Sequence, residues 1–90
     1  AIDLHADQVE GFFELPVTHL HCQQLLSEQI NMLCQENTIV VAPDVGSIKV
    51  AEKMALLLHS DLAVIKKDRF NPFDVSMAMI GDVKGKHVVI

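Results

Sequence analysis

Thr38-Ile39-Val40-Val41-Ala42 is a five-residue run without a charge, rich in β-branched side chains. A strand that shows no alternation of polar and apolar residues is one buried on both faces, the condition of a parallel strand inside an α/β sheet. The flanking sequence agrees. Pro43-Asp44 ends the run, and Gly46-Ser47 leads into a segment where Ile48, Ala51, Met54, Ala55 and Leu58 recur at helical spacing. Leu62-Ala63-Val64-Ile65 is a second short apolar run, and upstream Cys22, Leu25, Leu26, Ile30 and Leu33 predict a helix from about His19 to Asn37. Ala1–His5 reads as the end of a strand, Lys66–Pro72 as a polar loop, and Ser76–Ile80 and His87–Ile90 as two more strands. Strands alternating with helices predict an α/β architecture with a mostly parallel sheet and flanking helices.

The composition narrows the function classes. Half of the 90 residues are hydrophobic, which disfavours disorder. Only 4% are aromatic, too few for a base-stacking platform. Seven Lys+Arg against twelve Asp+Glu give a net charge of −5, so neither nucleic acid nor an anionic membrane is an expected partner. An acidic chain suits anionic substrates handled through metal ions or a few local cations. Cys22 and Cys34 fall on one predicted helix, roughly 18 Å apart at 1.5 Å per residue, and read as reduced thiols of a cytoplasmic protein. No window reaches the length of a membrane span, and the first residues lack a basic signal-peptide start. The opening without Met and the close on His87-Val88-Val89-Ile90 in mid-strand predict a portion of a longer polypeptide.

Ligands of open parallel sheets sit beyond the carboxyl ends of the strands, and several polar groups fall at such ends. Asp3 and His5 are two apart, which in a strand directs both to one face; they could hold a divalent cation or act as an acid–base pair, or merely hydrogen-bond to a loop. Asp44 stands at a strand tip before Gly46-Ser47, where the helix start could receive an anion or where Asp44 is a plain N-cap. Lys66-Lys67-Asp68-Arg69 is a charge cluster that could clamp phosphate or simply be solvated. His19 and His21 flank Leu20 as a crude metal pair without a third ligand, and Phe12-Phe13 and the methionines read as packing.

Read as a string, Asp3-Leu4-His5-Ala6-Asp7-Gln8-Val9-Glu10-Gly11-Phe12-Phe13-Glu14-Leu15-Pro16-Val17 is similar to D-L-H-A-x-Q-I-x-G-F-F-D-I-P-V, a signature of the ribose-phosphate pyrophosphokinases. Pro43-Asp44-Val45-Gly46 resembles the same family's P-D-x-G-G turn. Lys67-Asp68-Arg69 resembles its catalytic flexible loop, and Gly81–Ile90 the strand leading into its V-D-D-x-x-D-T-x-G-T loop. The resemblance runs over essentially the whole chain and is weakest in the 19–37 helix.

It implies a phosphoribosyltransferase-like fold, with residues 1–20 closing an N-terminal domain and 21–90 forming the first half of a C-terminal one. It implies Mg²⁺-dependent transfer of diphosphate from ATP to the 1-hydroxyl of ribose 5-phosphate, in a cytoplasmic homo-oligomer, a hexamer by family resemblance. Asp3, His5 and Asp44 would be metal ligands, Asp44 and Arg69 would contact the nucleotide or ribose, and Lys67 and Arg69 would be catalytic. Four departures stand out: Ser47 for the second glycine, Val50 for a basic residue, Thr18 for an acidic one and Glu14 for Asp. The competing reading is a non-catalytic regulatory or associated paralogue of the synthetase.

Overall fold

The computed structural model describes residues 1–34, 36–71 and 74–90, with 69–71, 74 and 75 described by backbone alone. The apolar run is β1 (Thr38–Ala42), with Ile39, Val40, Val41 and Ala42 all buried. After a short 3-10 turn at Val45–Ser47 the chain enters α2 (Ile48–Leu57), preceded in the sequence by α1 (Gln23–Leu33). Then follow β2 (Asp61–Asn71), β3 (Asp74–Ile80) and β4 (His87–Val89). The four strands form one sheet in the order β3-β2-β1-β4. Both neighbours of β1 are parallel to it, and the β2–β3 pairing is antiparallel. The sheet is therefore mixed, with its parallel part in the centre.

Strand alternation splits the core between two faces. Val40 and Ala42 meet Ala51, Ala55 and Leu58 of α2, whose small residues let the helix lie close to the sheet. Ile39 and Val41 point the other way and bury against Ala63, with Ile65 and Val83 packed beside them. Helix α1 stacks on α2. The result is a slab 46 × 41 × 15 Å with a radius of gyration of 16.1 Å, well above the about 12 Å of a compact chain of this length. Much apolar surface stays uncovered in consequence, Phe12 and Leu33 being 88% and 82% exposed.

Three expectations need correction. Ala1–His5 is no strand: a single parallel bridge joins Ile2 to Leu20, and Asp3 has φ 45°, which breaks the extended path. The first helix is shorter than predicted, Gln23–Leu33, because His19–Cys22 is engaged with the N-terminal segment. The charged stretch from Lys66 to Asn71 is not a loop but the distal part of β2, paired with β3 from Val64↔Ile80 to Asn71↔Asp74. Pro72 and Phe73, assigned to that loop, lie outside the described residues. The turn after β3 depends on Gly81. Its φ is 115°, and a Cβ there would stand 2.7 Å from that of buried Ala63.

Candidate functional site

The register of the sheet decides what gathers at its carboxyl end. Ala42, the last residue of β1, pairs with Val64 of β2. Asp44 therefore leaves β1 at the level where β2 runs on as an arm carrying Lys66, Lys67 and Arg69. The 45–47 turn packs beside β2, and the first turn of α2 starts at this same end. Against that first turn lies the N-terminal segment. An open groove of about 550 Å³ is lined by Asp3, His5 and Asp7 on one side and by Lys49, Val50 and Lys53 of α2 on the other.

Asp3 and His5 thus share a groove, though not by strand alternation. The bend at Asp3 aims its carboxylate at the start of α1, where Oδ1 accepts the Cys22 N–H at 3.1 Å. Cys22 is the N-cap of that helix and makes no capping bond with its own side chain. A carboxylate there answers a free N–H and the positive end of the helix dipole. That hydrogen bond, and a second from the Cys22 thiol, hold Asp3 below the ordinary aspartate pKa, with His21 and His19 adding smaller contributions. The same contact pushes the Cys22 thiol up. His5 is exposed.

At Asp44 the capping reading holds. Its Oδ1 accepts the Ser47 N–H at 2.9 Å, and Ser47 Oγ receives the Asp44 N–H at 3.4 Å. Ser47 Oγ also donates to the Asp44 carbonyl at 2.8 Å, so the side chain that replaces a family glycine is folded back on its own turn. Asp44 lies outside the lining of the His5 groove, as does Lys67. On β2, Lys66 Nζ pairs with Asp68 at 3.3 Å, and both belong to one face of the strand. Lys67, exposed and opposite Met77, belongs to the other face. Arg69 pairs with Val75 through its backbone, and its side chain lies outside the described residues.

The sequence reading missed several residues. His19 and His21 do have a third group beside them: Asp7 completes a cluster whose ligand atoms lie within 4.8 Å of one another. Glu10 accepts from His19 Nδ1 at 2.9 Å. Lys49 and Lys53 were legible as an i, i+4 pair flanking the apolar stripe of α2, which puts both on one side of the helix. The contacts of Asp7 and Glu10 with His19 span 12 and 9 residues and leave no periodic trace.

No family model matches the chain. Individual proteins do. The ribose-phosphate pyrophosphokinase of Deinococcus radiodurans is 46% identical over 90 residues, covering 97% of this chain and 28% of that protein. Those of Clostridium acetobutylicum and Chlorobaculum tepidum are 44% and 42% identical, each over 99% of this chain. The crystal structure of phosphoribosylpyrophosphate synthetase from Mycobacterium smegmatis superposes with a TM-score of 0.81 at 44% identity, over 97% of this chain and 28% of that one. The chain thus spans under a third of the length of the relatives it matches. By sequence and by fold together, these 90 residues are similar to one stretch of the ribose-phosphate pyrophosphokinases.

Proposed function

We propose that the protein carrying these residues transfers the β,γ-diphosphoryl group of ATP to the 1-hydroxyl of ribose 5-phosphate. In that reaction the sugar oxygen bonds to the β-phosphorus, the bridge from the α-phosphate breaks, AMP leaves, and the hydroxyl proton passes to solvent. The observation that carries the reading is the convergence at one end of the parallel strands. The Asp44 turn, the Lys66–Arg69 arm and the groove with Asp3 and His5 all adjoin the carboxyl ends of β1 and β2 or the first turn of α2. A domain division near residue 20, cytoplasmic location and a homo-oligomeric state go with this reading.

The donor set fits Mg²⁺ in part. Mg²⁺ prefers oxygen ligands and commonly keeps one or two carboxylates beside phosphate and water. Asp3 and Asp44 each have one carboxylate oxygen engaged by a backbone N–H, which orients the group and leaves a second oxygen to offer. His5 would be the less typical ligand, reaching the ion or its phosphate-bound water from the groove. When bound, the ion neutralises phosphoryl charge. Lys67 and Arg69, both carried by the β2 arm, would supply further positive charge to the migrating group. Lys49 and Lys53 line the groove and would draw the anionic nucleotide towards it.

Steady-state kinetics on the full-length protein tests this. Lys67→Ala and Arg69→Ala should each lower kcat by about 10²–10³, with KM for both substrates moving only a few-fold. Lys66→Ala removes an ammonium already paired with Asp68 and should change little. Near-normal kcat in all three variants would make the arm a solvated charge run and take Lys67 and Arg69 out of the chemistry; no turnover by the folded wild-type protein would favour a non-catalytic paralogue.

A further inference from the structure

We propose that His19 is a positioning residue of this site, one that fixes the backbone between Asp3 and His5 and meets neither substrate nor metal itself. The inference rests on reading the N-terminal groove as a metal–nucleotide site.

His19 is the covered member of an exposed group. Its side chain is 6% accessible, against 76% for Asp7 and 54% for His21. Both ring nitrogens are occupied. The Leu4 N–H donates to Nε2 at 2.9 Å, and Nδ1 lies 2.9 Å from Glu10 Oε1. A backbone N–H can only donate, so Nε2 must present its lone pair and the ring proton must sit on Nδ1, donating to Glu10. The tautomer is thereby fixed by two partners from different segments.

That fixed proton decides between two roles. Asp7 Oδ1 lies 3.6 Å from Nδ1, and the His19 and His21 rings are 4.0 Å apart, a spacing that could hold a metal ion. An ion at Nδ1 would need the lone pair that the proton occupies. Moving the proton to Nε2 would set two hydrogens facing each other across the 2.9 Å separation from Leu4 N. Metal binding at His19 therefore costs the Leu4 bond, and the geometry favours the bond.

The bond falls where the chain most needs one. Between Ile2 and Ala6 no strand ladder holds the backbone, and Asp3 is in the left-handed region. The path is set by three hydrogen bonds: Asp3 N–H to the Leu20 carbonyl at 3.0 Å, Cys22 N–H to Asp3 Oδ1, and Leu4 N–H to His19. Of these, only the last acts on Leu4, the residue next to His5. Its loss would free the direction in which the His5 imidazole points.

Two amide substitutions separate the halves of the ring. In His19→Gln the amide oxygen can reach the Nε2 position and accept from Leu4. In His19→Asn the shorter amide can keep the donor to Glu10 but does not reach Leu4. The measurements are hydrogen exchange over residues 2–6 and titration of Mn²⁺ with ATP on the full-length protein. His19→Ala should speed exchange over 2–6 and weaken Mn²⁺ binding in the presence of ATP by about 10-fold. His19→Gln should restore both to within a few-fold, and His19→Asn should restore neither. Rescue by Asn and not by Gln would overturn the proposal, as would unchanged exchange and Mn²⁺ binding in His19→Ala. Where the alanine variant does not fold, the Gln–Asn contrast decides alone. A wild-type protein that binds no Mn²⁺ with ATP would sink the functional reading and the proposal with it. Normal wild-type binding with no Gln–Asn contrast would sink the proposal only.

Discussion

The layer of β1, α2 and β2 and the N-terminal stretch up to Cys22 adjoin each other but are built on different physics. The layer is held by apolar burial: Ile39, Val41, Ala42 and Ala63 are at most 2% exposed. Residues 1–22 contribute no residue to the apolar core. Their order comes from polar bonds, of His19 to Leu4 and Glu10, and of Asp3 to Cys22. Burial gives a rigid platform that tolerates little change. A polar lattice can hold Asp3, His5 and Asp7 at the surface, where a ligand can reach them.

Substitutions in the two regions should accordingly fail in different ways. The largest effect on stability belongs to the layer. Ile39→Ala removes a fully buried side chain in β1 and should cost about 2–5 kcal/mol in denaturant unfolding. A cost below about 1 kcal/mol would mean that the central strand collapses around the loss and that the contrast is overstated.

Asp3 should give a smaller effect, and a pH-dependent one. Its pKa is lowered in the folded chain, so its contribution is complete above the ordinary aspartate pKa of about 3.9. It is lost as pH falls from there through the lowered value. Asp3→Ala should therefore destabilise the N-terminal stretch at neutral pH, and the difference from wild type should close on acidification through that window. The same substitution should speed alkylation of Cys22, because the neighbouring carboxylate holds the thiol protonated. A wild-type–variant difference independent of pH would remove the carboxylate charge from the account.

The smallest effect on stability should come from His5→Ala. The side chain is exposed and takes no part in either core cluster, so unfolding should be unchanged within about 0.5 kcal/mol. The Mg²⁺–ATP requirement should nevertheless rise in the full-length protein. A Mg²⁺–ATP titration superimposable on wild type would take His5 out of the site.

The same contrast explains how much could be read from the sequence. Burial leaves a pattern, so the unbroken run at Thr38–Ala42 and the stripe from Ile48 to Leu58 identified β1, α2 and the α/β class. The cap at Asp44 was legible from residue type, as one of two readings. The arm of β2 was not. Lys66-Lys67-Asp68-Arg69 carries the charge of a loop, and a two-stranded arm beyond the core needs no apolar alternation when β3 supplies its hydrogen bonds. Nor could the bond from Leu4 to His19 be foreseen, since a polar contact across 15 residues has no period to reveal it. The signature around Asp3 and His5 pointed to the groove without giving its geometry.

If the polar groups gathered at the carboxyl end of this sheet serve diphosphoryl transfer, the reaction products carry the signature. ³¹P NMR of the full-length protein with Mg²⁺, ATP and ribose 5-phosphate tests it most directly. AMP and a sugar 1-diphosphate should appear in equal amounts, with no ADP. ADP as the nucleotide product, or no turnover by a folded protein that binds both substrates, would contradict it.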